Sequence, residues 1–69
     1  MEIIKLRDEY IKLGQALKAV NLVASGVDAK YEILDGHVKV NGEVCTMRGK
    51  KLYDGDMVEY EDTQIKIEK

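Results

Sequence analysis

The sequence predicts an α+β fold in which two helices pack on one side of a small, mostly antiparallel sheet. Three observations lead there. Apolar residues recur at helical spacing from Leu13 and again after Ser25, and the period drops to two after Gly36. Turn signals at Asn41-Gly42 and Asp54-Gly55 then cut the remaining chain into short strands. Ile3, Ile4 and Leu6 in the charged opening predict a short edge strand. Leu13, Ala16, Leu17 and Val20 form one stripe at i, i+3, i+4 and i+7, and Asn21 closes that helix. Ser25 reads as an N-cap with Asp28 three residues on, opening a second helix over 26–34 that stops at Gly36. Its apolar residues fall on two sides, Ala29 and Ile33 on one and Val27, Tyr31 and Leu34 on the other, which predicts a helix wedged between its partner helix and the sheet.

Beyond Gly36, Val38 and Val40 share a strand face. A three-residue turn with Gly42 left-handed is expected there, because it sets Val38 opposite Val44 and Lys39 opposite Glu43 and so keeps one face apolar. A last hairpin runs from Met57 to Ile67 and reverses at Asp62-Thr63. It is expected to pair Val58 with Ile67, Tyr60 with Ile65 and Glu59 with Lys66.

The chain has 69 residues, of which 45% are hydrophobic and 35% charged, so it reads as one globular domain over 1–69 with a core that needs nearly all its apolar residues. The lone Cys45 excludes an internal disulfide or a thiolate cluster. No apolar run has the length of a membrane span, and the charged start does not read as a signal peptide, so a cytoplasmic setting is expected, without a membrane partner. The net charge is −2, but its distribution is uneven. Residues 12–53 carry seven cations against four carboxylates, whereas 54–69 carry two against six. A basic middle of this kind can meet a polyanion on one face while the acidic end keeps the chain soluble.

Taken in order, Leu13-Gly14-Gln15-Ala16-Leu17-Lys18, Ser25-Gly26 with Ala29-Lys30, Gly36 to Val38, Val40-Asn41-Gly42, Arg48-Gly49-Lys50-Lys51-Leu52 and Gly55-Asp56 resemble the S4-like RNA-binding domain, the αL motif. The small stand-alone bacterial form, the YaaA/YbcJ type, is the nearest likeness, over about residues 10–60. No single element is specific; the ordered set with its spacing is. The resemblance implies two helices on a small sheet and a module that docks structured RNA, chiefly ribosomal or transfer RNA, and catalyses nothing. Many members carry a basic pair directly after the Ser, where this chain has Gly26 and Val27. The start of the second helix is therefore not expected to be the main grip.

The expected RNA-binding residues are Lys12, Lys18, Lys30, Lys39, Arg48, Lys50 and Lys51. Their convergence on one surface is implied by the resemblance; spacing alone also fits an ordinary solvated surface. Arg48, Lys50 and Lys51 flank Gly49 in a turn-like stretch where side chains and backbone can approach phosphates. A guanidinium can hold a phosphate bidentately or stack on a base, and the lysines act as point charges. Nothing in the pattern reads base edges, so shape recognition is expected. Tyr31 and Tyr53 read as packing residues ahead of base-stacking ones, Tyr60 as core, and Tyr10 is left open. His37 reads as an exposed strand residue and Cys45 as a small buried one. Asp54, Asp56, Glu59, Glu61 and Asp62 read as an outer strand face with a turn, not as a metal site.

No nucleophile–base pair, metal set or phosphate loop emerges, so no catalytic residue, metal, cofactor or small-molecule substrate is expected. The reading is a non-enzymatic RNA-binding protein docking on structured RNA, ribosomal RNA foremost, in ribosome assembly or translation, with ribosomal particles as possible partners. The alternative is a protein–protein interaction module of the same fold.

Overall fold

Seven short strands and two helices follow one another in a computed structural model that describes residues 1–69. Their order is β1 (Glu2–Lys5), β2 (Ile11–Lys12), α1 (Leu13–Ala19), α2 (Gly26–Leu34), β3 (Val38–Val40), β4 (Glu43–Val44), β5 (Lys51–Leu52), β6 (Met57–Tyr60) and β7 (Thr63–Glu68). Five strands form one sheet in the order β1-β7-β6-β3-β4, antiparallel except for the parallel β1–β7 edge. The α+β arrangement and the edge strand are as expected. A separate two-stranded ladder between β2 and β5, pairing Ile11 with Leu52 and Lys12 with Lys51, was not.

The caps follow the sequence. Asp28 N–H donates to Ser25 Oγ at 3.2 Å, and α2 spans the expected residues. At its end, Gly36 N–H donates to the Ile33 carbonyl and His37 N–H to the Glu32 carbonyl, a Schellman stop with Gly36 at φ +80°. Asn21, at φ +60°, closes α1.

The core is one cluster of thirteen buried residues. Leu13, Ala16 and Leu17 of α1 and Ala29 and Ile33 of α2 meet Val38, Val40, Val58, Tyr60, Ile65 and Ile67 of the sheet. Leu52 joins them from β5, fully buried.

Three expectations are corrected. The β3–β4 turn has two residues, not three: Lys39 pairs with Val44 and Val40 with Glu43. Asn41 and Gly42 both take positive φ, +52° and +86°, as a turn matched to strand twist requires. Asn41 is held there from outside its own hairpin, accepting from Met57 N–H at 2.9 Å and donating to Asp56 Oδ1 at 3.1 Å. Val44 is left exposed, because a two-residue edge strand has little apolar face to preserve.

The last hairpin turns at Glu61-Asp62, with Tyr60 opposite Thr63, Val58 opposite Ile65 and Glu59 opposite Gln64. The register slides by two residues from the one expected. Because side chains alternate with period two, the slide leaves the same residues facing the core.

The third correction concerns α2. Only its Ala29–Ile33 face is buried, and Val27, Tyr31 and Leu34 are 60%, 59% and 53% exposed. A wedge needs a second wall, and the sheet and α1 both lie on the one side.

One polar contact ties α2 to the sheet: Tyr60 Oη donates to Glu32 Oε1, and His37 Nδ1 lies 3.3 Å from Glu32 Oε2. The Tyr60 hydrogen bond, then His37, holds Glu32 below the usual carboxylate range, and the same bond pushes the Tyr60 hydroxyl up to about 12.

Two outcomes follow. Leu52→Ala removes a fully buried side chain and costs about 2–5 kcal/mol of unfolding free energy, measured by urea denaturation. Tyr60→Phe lowers stability at pH 7. Glu32 is depressed in the fold, so its contribution is present above the unfolded carboxylate value and lost as pH falls through the lower folded one. Tyr60 is raised, so its contribution is present below 10.0 and lost as pH rises through about 12. The difference in urea midpoint between wild type and Tyr60→Phe therefore peaks at intermediate pH and shrinks at both extremes; a difference independent of pH contradicts this.

Candidate nucleic-acid interface

The first amides of a helix lack partners within it. In α1 they find them in the loop before β5: Leu13 N–H donates to the Lys50 carbonyl at 2.9 Å and Gly14 N–H to the Arg48 carbonyl at 3.1 Å. Lys50 N–H returns to the Met47 carbonyl at 3.1 Å, closing a turn around Arg48-Gly49. Just ahead of the helix, Lys12 N–H donates to Gln15 Oε1 at 3.2 Å. Gly14 sits where α1, α2 and this loop converge. A Cβ there would lie 3.7 Å from the Arg48 carbonyl oxygen and 3.9 Å from Ala29 Cβ, filling the space without clash.

These ties bring Lys12, Lys18 and Arg48 to the walls of one cleft whose floor and rim include Gly14, Gly26 and Gly49. No carboxylate and no large apolar side chain lines it. The ion pairs of the molecule engage Lys5, His37, Lys66 and Lys69, so none of the three cleft cations is neutralised within the chain. Gly26 also opens α2 at this cleft, and the positive end of the helix dipole adds to the field. The arrangement can hold an anion, with cationic residues contributed to its lining by α1, its N-cap and the loop.

The other expected cations are placed differently. Lys51 lies across the β2–β5 ladder from Lys12, with its Nζ 4.8 Å from the Tyr10 ring centroid. Lys30 is exposed one helical turn beyond Gly26. Lys50 lines a different hollow, beside Thr46 and Met47. Lys39 stands on the outward face of the sheet, cross-strand from Glu59, away from the helices. The structure thus joins Lys12, Lys18 and Arg48 in one cleft, sets Lys51 and Lys30 beside it, and leaves Lys39 and Lys50 apart.

The tyrosines also redistribute. Tyr60 is core, but Tyr31 and Tyr53, expected to pack inside, are exposed. Tyr53 meets Tyr10 with ring centroids 6.0 Å apart and planes tilted by 53°. Tyr10 and Tyr53 each adjoin an apolar residue of the ladder and so point to its opposite side, a pairing that follows from a ladder absent from the elements the sequence predicts.

The remaining chemistry-bearing groups have structural partners. Ligand atoms of Glu32, Asp35 and His37 lie within 4.8 Å of one another, a set able to hold a cation, but Glu32 already accepts from Tyr60 and contacts His37. Asp56 accepts from Tyr53 N–H at 2.7 Å as well as from Asn41, and Asp54 accepts from Lys69 N–H at 2.9 Å. Two of the five clustered acids are therefore braces for turns and the last strand. Cys45 is half-buried against the core, with its Sγ 3.7 Å from the Met47 carbonyl. Lys5 and Glu68 pair at 2.7 Å across the β1–β7 edge, which raises the Lys5 pKa and lowers that of Glu68. No helix is long and apolar enough to cross a membrane.

A family model, the S4 domain, matches residues 4–68. A curated relative from Bacillus subtilis (strain 168), described as "Probable ribosome maturation protein RlbA", is 45% identical over 58 residues, 84% of this chain and 82% of the relative. Both likenesses span the helices, the loop and the cationic cleft together, and by this measure the chain belongs to the S4 domain family.

Proposed function

We propose that the protein is a non-enzymatic RNA-binding module that docks on folded RNA, ribosomal RNA foremost, through the Lys12–Lys18–Arg48 cleft. The observation that carries this reading is the cleft itself: three cations from three segments, none paired to a carboxylate, around backbone left open by glycines. Membership of the S4 family and the ribosome-maturation description of the relative favour RNA over other polyanions, and a cytoplasmic role in ribosome assembly or translation.

Docking here is electrostatic positioning plus shape fit. Arg48 holds a phosphate bidentately, Lys12 and Lys18 neutralise its neighbours, and the counterions those phosphates release supply much of the affinity. Lys51 and Lys30 extend the positive field to either side. No bond is made or broken.

A second reading has its own observation. Val27, Tyr31 and Leu34 form an exposed apolar stripe on α2, suited to a protein neighbour. It is compatible with RNA docking on a ribosomal particle and competes with it only if the cleft binds nothing.

Titration of the protein against ribosomal RNA and a protein-free control polyanion, at two salt concentrations, tests the proposal. Tighter binding to the RNA, weakening steeply with salt, is expected. Replacing Lys12, Lys18 and Arg48 together by Glu abolishes that preference, and each cation removed singly to Gln reduces the salt slope by about one. The melting temperature stays nearly unchanged, since all three side chains are exposed. Full affinity in the triple variant removes the cleft from the mechanism. No preference for RNA over the control turns the function toward the α2 stripe.

A further inference from the structure

The two-residue ladder between β2 and β5 turns one apolar pair inward, Ile11 with the fully buried Leu52. Alternation then sets the flanking pairs on the outward side: Lys12 opposite Lys51, and next to them Tyr10 with Tyr53. The outward face is therefore two lysines and two tyrosines, continuous through Lys12 with the cationic cleft.

Fold stability does not account for this set. Like charges directly opposite on a ladder are destabilising, and neither lysine has a carboxylate within ion-pair distance. Asp8 and Glu9 rim the hollow beside Tyr10 and Lys12, but Glu9 is drawn away to Lys69 Nζ at 3.0 Å. Lys51 spends its charge on the Tyr10 ring instead. The chain has no Phe or Trp, so its aromatic area is scarce, yet Tyr53 is 47% exposed. Its backbone is pinned by the Asp56 carboxylate, which presents the ring from a fixed position.

We propose that this face is a nucleotide subsite: an unpaired base stacks on Tyr53 while the flanking phosphates lie between Lys12 and Lys51. Tyr53 offers the freer ring, because Lys51 covers Tyr10. A phosphate relieves the repulsion between the two lysines and draws Lys51 from the ring, and the stacked base covers the exposed aromatic surface. The inference rests on the RNA-docking reading and narrows it. The RNA carries a bulged or unpaired nucleotide next to the backbone held by Arg48 and Lys18, and is not a uniform duplex.

Two hairpin RNAs of equal length test this, one fully paired and one with a single bulged 2-aminopurine, whose fluorescence falls on stacking. Wild type is expected to bind the bulged RNA about tenfold more tightly or better, and to quench the probe. Tyr53→Leu keeps an apolar side chain but loses both the preference and the quenching, while its affinity for the paired hairpin stays within about twofold. The Lys12, Lys18 and Arg48 reversal weakens binding to both RNAs. Equal binding of the two hairpins by wild type, with the probe unquenched, overturns the subsite and leaves docking at the cleft standing. Binding of neither hairpin overturns docking and the subsite with it. Because quenching is read on the wild-type protein, neither result depends on how well the variant folds.

Discussion

The amides at the start of α1 need acceptors, and the loop before β5 supplies them. Leu13 and Gly14 donate to Lys50 and Arg48, and through those two bonds a segment with almost no secondary structure of its own takes a fixed place against the helix. Leu52, two residues beyond, drives into the core and anchors the other end. The position of Arg48 beside Lys12 and Lys18 is a consequence of how a helix terminus satisfies its donors. Small residues complete the arrangement. Gly14 lies where α1, α2 and the loop meet, and a Cβ added there would make ordinary contacts at 3.7–3.9 Å with Arg48 and Ala29.

A chain of this size has little apolar area to spare, and its surface shows where that area was withheld. Thirteen residues make the core, while Val27, Tyr31 and Leu34 on α2 and Tyr10 and Tyr53 on the β2–β5 ladder remain accessible. The sheet and α1 lie on one side of α2, which leaves its other side without a wall. On the ladder two unpaired lysines, Lys12 and Lys51, flank the exposed rings, whereas on α2 the exposed stripe is mostly apolar with Lys30 beside Tyr31. The polar links lie elsewhere: Tyr60 and His37 converge on Glu32 to lock α2 to the sheet, and Asp56 and Asn41 tie two turns together.

Charge follows the same division. The four ion pairs gather on the β1–β7 edge, the C-terminal residue and the end of α2. The cations at the cleft are left out of them. Net charge alone, at −2, points away from a polyanion. At the cleft, though, no carboxylate lines the walls, while Asp54, Asp56, Glu32, Glu68 and Glu9 are engaged by partners elsewhere.

Both helices, the N-cap of α2, the stops after each helix and the faces of the long strands were legible in the residues. Such features are set by local rules: a Ser Oγ within reach of an amide three residues on, a glycine at a left-handed stop, and alternation that survives a two-residue slide in register. The register of the last hairpin and the length of the β3–β4 turn were not legible. Both depend on contacts from other segments, Asn41 on Met57 and Asp56, and β7 on the parallel partner β1. The basic residues could be named from the sequence, but which of them share a cleft could not. Lys12 and Arg48 are brought together by backbone bonds between segments more than thirty residues apart, and the Tyr10–Tyr53 pair by a ladder of two residues that carries no periodic signal. The elements and their inward faces are thus written in the chain, because they follow from near-neighbour chemistry. Which outward side chains meet is a property of the folded molecule, because it depends on long-range pairings whose energies are spread over the whole core.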